Sequence, residues 1–188
     1  TPSAQTYIIG STDREMVRVN LTANSGEDMT VSSITFYCYR LGTTATACSS
    51  GDFTSAKLYK LDGSTWTQLG STVATLSATA AYSFSLNVPA SQTVTIKLLA
   101  DIPSSTGLAA AGGHFRIPAA ADVTTQGVSS SATITETGFA VTGNTMATGQ
   151  GSLTVSAAAS PGDQTVIIGT TKVSMVGLVF TAGSAENI

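Results

Sequence analysis

The chain has 188 residues, with 8 Lys+Arg against 11 Asp+Glu and a formal net charge of −3; 42% of it is hydrophobic and only 10% charged. So few cations leave little to displace the counterions of a nucleic acid, and an anionic membrane surface is disfavoured for the same reason. No apolar run reaches the roughly 18 residues of a membrane span, so membrane insertion is not expected.

The length fits one domain or two small ones. Ser and Thr supply the polar surface that charged residues supply elsewhere. Thr, Val and Ile favour pleated strands, and 18 Gly with 5 Pro favour turns. That is an all-β composition. The chain opens at Thr1 without an initiator Met or a leader, and reads as a processed product or a piece of something longer.

The first strand with clear alternation is Met16–Ala23, where Val17, Val19, Leu21 and Ala23 share one face and Arg18, Asn20 and Thr22 the other. In Met29–Arg40 the apolar phase changes between Val31 and Ile34, which predicts a bulge at Ser32-Ser33. Two apolar runs, Lys57–Leu61 and Trp66–Leu69, flank Asp62-Gly63-Ser64-Thr65, a hairpin signal. Tyr82–Val88 and Gln92–Ile102 alternate cleanly, the latter with Val94, Ile96, Leu98, Ala100 and Ile102 inward. His114–Pro118, Ala132–Gly143 and Gly151–Ser156 are later candidates. These make about nine or ten short strands before residue 157, spaced as in a two-sheet sandwich. The Ala-rich stretches Ala109–Ala111, Ala119–Ala121 and Ala157–Ala159 are too short and too close to Gly or Pro for helices.

The chain then repeats its own beginning. Residues 160–188 lie over residues 1–29 without a gap, matching Pro2 with Pro161, Gln5 with Gln164, Ile8 with Ile167 and Gly10 with Gly169. Met16 with Met175, Val17 with Val176, Ala23 with Ala182 and Glu27 with Glu186 continue the match. Val176, Leu178 and Phe180 take the inward positions of Val17, Val19 and Leu21, so phase is kept as well as identity. The interval is one β-sandwich plus a linker, a repeat at domain scale. The expected organisation is a module over 1–157, a linker over 158–163 and the opening strands of a second, incomplete copy over 164–188. Strands are expected at Gln164–Ile168 and Met175–Thr181. An isolated hairpin is marginal, so Ile167, Val176, Leu178 and Phe180 are expected to be buried against another copy of the chain. Their counterparts Ile8, Val17, Val19 and Leu21 are the remaining candidate contacts between modules.

Cys38 and Cys48 read either as free or buried thiols or as a disulfide pinning a loop. The Lys-poor, Ser/Thr-rich composition of a secreted chain favours the disulfide. Closing so short a loop contributes on the order of 2–3 kcal/mol by the chain-entropy argument.

Motifs that carry chemistry are few. The single histidine, His114, has no accompanying His or Cys set to make a metal site and reads as a partly exposed strand residue. The sequence has no nucleophile elbow, phosphate-cradling loop or H-E-x-x-H, and adjacent acids occur only at Glu27-Asp28. An enzyme is not expected. Calcium is the one cofactor weighed, with Glu27, Asp28, Asp101, Asp122 and Asp163 at loops or strand ends as candidates. Without a D-x-D-x-D-G loop, solvated surface acids are the better reading. Trp66, beside the turn, is a candidate sugar contact or else a packing residue at the end of the sandwich. Asn20-Leu21-Thr22 matches a glycosylation sequon, but within a strand.

The run Gly151-Ser152-Leu153-Thr154-Val155-Ser156, followed by S-P-x-x-Q-T-V-I-I-G-T-T, V-x-L-V-F-T-A and E-N-I, resembles the tandem modules of very long cell-surface proteins from uncultivated bacteria. Lys57-Leu58-Tyr59 and Val94–Ile102 stand where that family has its K-L-Y and V-T-I-K-x-x-A-D-I segments. The resemblance implies an immunoglobulin-like β-sandwich in an extracellular, cell-surface array, with no catalytic residues. The expectation is therefore an all-β chain that joins copies of itself head to tail into a fibre or filament. An adhesin or surface-glycan-binding module is the first alternative, and a viral surface fibre the second.

Overall fold

The computed structural model describes residues 1–40, 46–108 and 112–183. The centre of the loop between the cysteines, Ala109–Ala111 and the last residues of the repeat match, Glu186 among them, lie outside the described residues. The chain is all-β, and its contacts divide it into two units, Thr1–Gly149 and Gln150–Ile188.

In the first unit, β2 (Arg14–Thr22), β7 (Thr93–Asp101), β4 (Thr54–Asp62) and β5 (Thr65–Thr75) make one antiparallel sheet in that spatial order. The second sheet is centred on β3 (Met29–Arg40). One edge of β3 carries β6 (Thr79–Val88), and the other carries β8 (Gly113–Ile117) and β9 (Val123–Gly127) in succession. Two-residue strands finish this sheet: β10 (Thr133–Ile134) on β9 and β11 (Val141–Thr142) on β8. Finally β1 (Thr6–Ile8) pairs with β12 (Ala147–Gly149) in parallel.

The inward faces of the two sheets form the core of a β-sandwich. Met16, Val17, Leu58, Ile96 and Leu98 from one sheet, and Ile34, Phe36, Tyr82, Phe115 and Ile117 from the other, are all buried. Period-2 alternation is why these residues and not their neighbours are inside. The expected bulge is present: the register of β3 shifts between Val31 and Ser33 against both β6 and β9. The hairpin turn is present too, with Asp62 opposite Thr65 and Gly63 at φ 62°, a conformation that suits glycine. Cys38 and Cys48 are bonded to each other, with Cα atoms 5.3 Å apart.

Four residues after Cys48 stands a group the sequence did not announce. Asp52 is 1% exposed and accepts from the Ser49 N–H at 2.7 Å. Arg40 meets it with Nε at 3.0 Å and Nη2 at 3.1 Å, while Nη2 also donates to the Gly107 carbonyl at 2.5 Å. A desolvated carboxylate is tolerable only when paired and hydrogen-bonded in this way.

The second unit holds β13 (Leu153–Ala157) and β14 (Leu178–Ala182), an antiparallel pair with Leu153 opposite Ala182 and Ala157 opposite Leu178. Gly151–Ser156 was expected to close the first module at residue 157. Its strand pairs instead with the tail, and the division falls after Gly149.

Candidate functional site

The repeat is a repeat of backbone as well as of sequence. Gly10 has φ 81° and its counterpart Gly169 φ 90°; Asp13 has φ 53° and its counterpart Lys172 φ 60°. The Ser11 N–H donates to the Ile8 carbonyl at 3.1 Å, and the Thr170 N–H donates to the Ile167 carbonyl at the same distance. Non-glycine residues are uncommon at positive φ, so two matching pairs in register mark one local structure built twice.

What differs is how far each copy becomes sheet. Of the two strands expected in the tail, Gln164–Ile168 is not a strand, and Met175–Thr181 begins only at Leu178 and runs to Ala182. The cause is the partner. In the first unit β12 holds β1 and β7 holds the whole of β2, whereas in the second unit the described residues offer the tail β13 alone.

The apolar surface follows from that shortage. Among the described residues, every exposed large hydrophobic except Val128 lies between Leu153 and Phe180. Ile167 is 79% exposed, Val176 66%, Leu178 55% and Phe180 63%. Their counterparts fare differently. Val17 and Val19 are buried in the module's own core, which removes them from any free surface between modules, while Ile8 and Leu21 are half-buried. On the β13–β14 hairpin the pairing puts Leu153, Val155 and Ala157 on one face with Leu178, Phe180 and Ala182, and leaves Thr154, Ser156, Val179 and Thr181 on the other.

The first unit has an opening of matching character. β2 is the outer strand of its sheet, and β10 and β11 are the outer strands of the facing one. Between them lies an apolar groove of about 320 Å³, walled on one side by Val19, Leu21 and Ala23 and on the other by Ile134, Glu136, Phe139 and Val141. Oε1 of Glu136 is buried there without a hydrogen-bond partner among the described residues.

The residues weighed for chemistry are separated from one another. His114 is 2% exposed rather than partly exposed: it lies on the face of β8 opposite the core residues Phe115 and Ile117, directly across from Tyr39, and stacks on that ring with centroids 5.6 Å apart. Among the described residues neither ring nitrogen has a partner, and burial, reinforced by Arg116, pushes its pKa down. Four of the five candidate calcium acids bind backbone N–H groups in different places. Glu27 accepts from Ser129 and Ser130, Asp28 from Ala90, Asp101 from Asp13 and Asp122 from Ala119. The Ser130 hydroxyl and then the two N–H groups hold the Glu27 carboxyl below its usual range. Asp163 is exposed, and among the described residues no group of three or more His, Cys, Asp or Glu could hold a metal ion. Trp66 is half-buried, with Lys97 Nζ 4.0 Å and the Arg18 guanidinium 5.3 Å from its ring centre, an arrangement of packing and cation–π contact on the outer sheet face. Asn20 is exposed and accepts from the Thr95 hydroxyl at 2.9 Å. Among the described residues no helix is long and apolar enough to cross a membrane.

No family model matches the chain, and no curated protein or solved structure matches it.

Proposed function

We propose that this is a structural module of an extracellular, cell-surface fibre, built by copies of the chain joining head to tail through strand complementation. The observation that carries the reading is the placement of exposed apolar side chains. Almost all of them sit in the second unit, whose tail repeats the module's own opening strands without the sheets those strands need. Burying one such side chain is worth roughly 1.5–3 kcal/mol, so a surface carrying this many favours association. A head-to-tail contact is heterologous and does not close on itself, which is how a repeated contact yields an open filament. The disulfide and the Ser/Thr-rich, Lys-poor surface support an oxidising, extracellular setting.

The test is assembly state. The full chain is expected to form oligomers that lengthen with concentration in light scattering and electron micrographs. Removal of the second unit, residues 150–188, is expected to leave a folded monomer. A truncated protein that still forms fibres, or a full chain monomeric at all concentrations, would sink the reading.

A further inference from the structure

We propose that the open edge of β2, with the groove beside it, is the acceptor for β13 of a second copy of this chain. The strand enters antiparallel, with Leu153 opposite Ala23, Val155 opposite Leu21 and Ala157 opposite Val19. This rests on the assembly reading above and names the site at which assembly happens.

The register comes from the repeat. β14 corresponds residue for residue to Val19–Ala23, and β13 pairs with β14 over its whole length. The edge is also fixed. In the first copy the Ala23 N–H points to β7, donating to the Gln92 carbonyl at 3.1 Å. In the tail it is the next residue, Gly183, counterpart of Asn24, whose N–H donates to the Ser152 carbonyl at 2.7 Å. Successive residues of a strand direct their N–H groups to opposite edges. β13 therefore lies along the edge of β14 that corresponds to the free edge of β2. A second pair agrees. The Arg18 carbonyl on that free edge accepts from the exposed Thr1 hydroxyl at 3.0 Å, and the carbonyl of its counterpart Gly177 accepts from the Ala158 N–H at 2.8 Å.

Transferred to β2, the strand presents Leu153, Val155 and Ala157 to the groove, and Thr154 and Ser156 to water. That is the division the site asks for: an apolar row beside Val19, Leu21 and Ala23, facing Phe139 and Val141. The strand also brings N–H groups to a groove whose wall holds the unpartnered Glu136 oxygen. On its own hairpin the same strand leaves Leu153 and Val155 half exposed, each 51%. Exchange keeps the backbone ladder and adds burial.

The strand must come from another copy, because its own cannot reach. The Gly149 carbonyl accepts from Ile9 at 3.1 Å, and the Gly10 N–H donates to the Ile102 carbonyl at 2.8 Å, so β12 ends beside Ile102. Ala23 lies beside Gln92, at the other end of β7. That strand is roughly 33 Å long between the two. The chain from Gly149 to Leu153 spans at most about 14 Å.

Directed cross-linking between full-length chains tests this. Asn20 and Ser156 fall opposite each other on the solvent face, at the roughly 5.5 Å Cα spacing of a hydrogen-bonded pair, within disulfide reach. One chain carries Asn20→Cys and a second, mass-tagged chain carries Ser156→Cys; Cys38 and Cys48 are already bonded to each other. Mild oxidation is expected to give at least tenfold more mixed dimer than Asn20→Cys with Thr154→Cys, two residues out of register. Adding Val155→Glu, at a position exposed in the free chain, is expected to remove most of the product. Chains that assemble but give no register-specific dimer overturn this site and leave the assembly reading standing. Chains that neither assemble nor cross-link overturn both.

Discussion

The Gln164 side chain donates to the Ser174 carbonyl at 2.7 Å, and so takes over in the tail a contact that Tyr7 makes in the first unit. There the Tyr7 hydroxyl donates to the Glu15 carbonyl, also at 2.7 Å, and Gln5 donates to the Tyr7 oxygen at 2.8 Å. Val166 replaces Tyr7 in the second copy, and the glutamine reaches the carbonyl directly. Gln164→Ala is expected to loosen the tail's turn by about 1 kcal/mol, the net value of one hydrogen bond. Amide exchange at Thr170 should quicken about fivefold while Ser11 is unchanged, as read by hydrogen-exchange NMR.

His114 gives the protein an acid-sensitive step. Burial lowers its folded pKa below the unfolded value of 6.5. Above that pH both states are neutral, and the residue adds no pH dependence. As pH falls through 6.5 the unfolded chain takes up a proton that the folded chain refuses, so stability drops until the folded pKa is passed. His114→Phe is expected to flatten this part of the profile between pH 7 and 5 in chemical denaturation. An unchanged slope would place the titrating group elsewhere.

Arg40→Ala strands the Asp52 carboxylate in the interior. A loss of about 3 kcal/mol is expected for breaking such a pair from one side, seen as a lower urea midpoint at unchanged m-value. Replacing both residues by apolar ones of similar size, Arg40→Met with Asp52→Leu, should cost less than the single change, because no charge is then left buried.

Leu153→Ser separates folding from assembly. The side chain is 51% exposed, so the thermal stability of the first unit is expected to stay within about 0.5 kcal/mol of the parent, as for most surface changes. Light scattering should nevertheless show less oligomer at every concentration. A fall in stability with assembly intact would mean that the side chain packs on its own chain.

What could be read from the sequence was what depends on near neighbours. The β3 bulge showed in the phase change from Val31 to Ile34, and the hairpin in Asp62-Gly63, because pleat and turn are local. Cys38 and Cys48 were legible as a pair from the Ser/Thr-rich, Lys-poor composition of a secreted chain, a property of the whole sequence. Non-local partners were harder to see. His114 is flanked by Gly113 and Phe115, and nothing nearby in sequence says that Tyr39 will cover it. Asp52 is buried because Arg40 and Gly107 arrive from two other parts of the chain. Leu153–Ala157 was recognised as a strand, but alternation states only that a strand has two faces. Its partner, β14, is set by residues more than twenty positions away. In the tail the pattern was right for Leu178–Thr181 and overreached at Met175–Gly177 and Gln164–Ile168, where the apolar residues are present and the neighbouring strand is not.

The parallel pairing of β1 with β12 sets how the first unit bears a load. The chain comes in through β1 and goes out through β12, and the two are laced by Thr6 opposite Ala147, Tyr7 opposite Thr148 and Ile8 opposite Gly149. The Ala147 N–H to Gln5 and Ile9 N–H to Gly149 bonds extend the lacing at either end. Pulling the two ends of the unit apart slides parallel strands past each other, so these bonds are strained together and must fail together. An antiparallel closure would open like a zipper, one bond at a time. In single-molecule pulling from Thr1 and Gly149, the unit should resist as a shear clasp and yield in one abrupt event, and pulling from the Gly63 turn and Gly149 should yield at lower force.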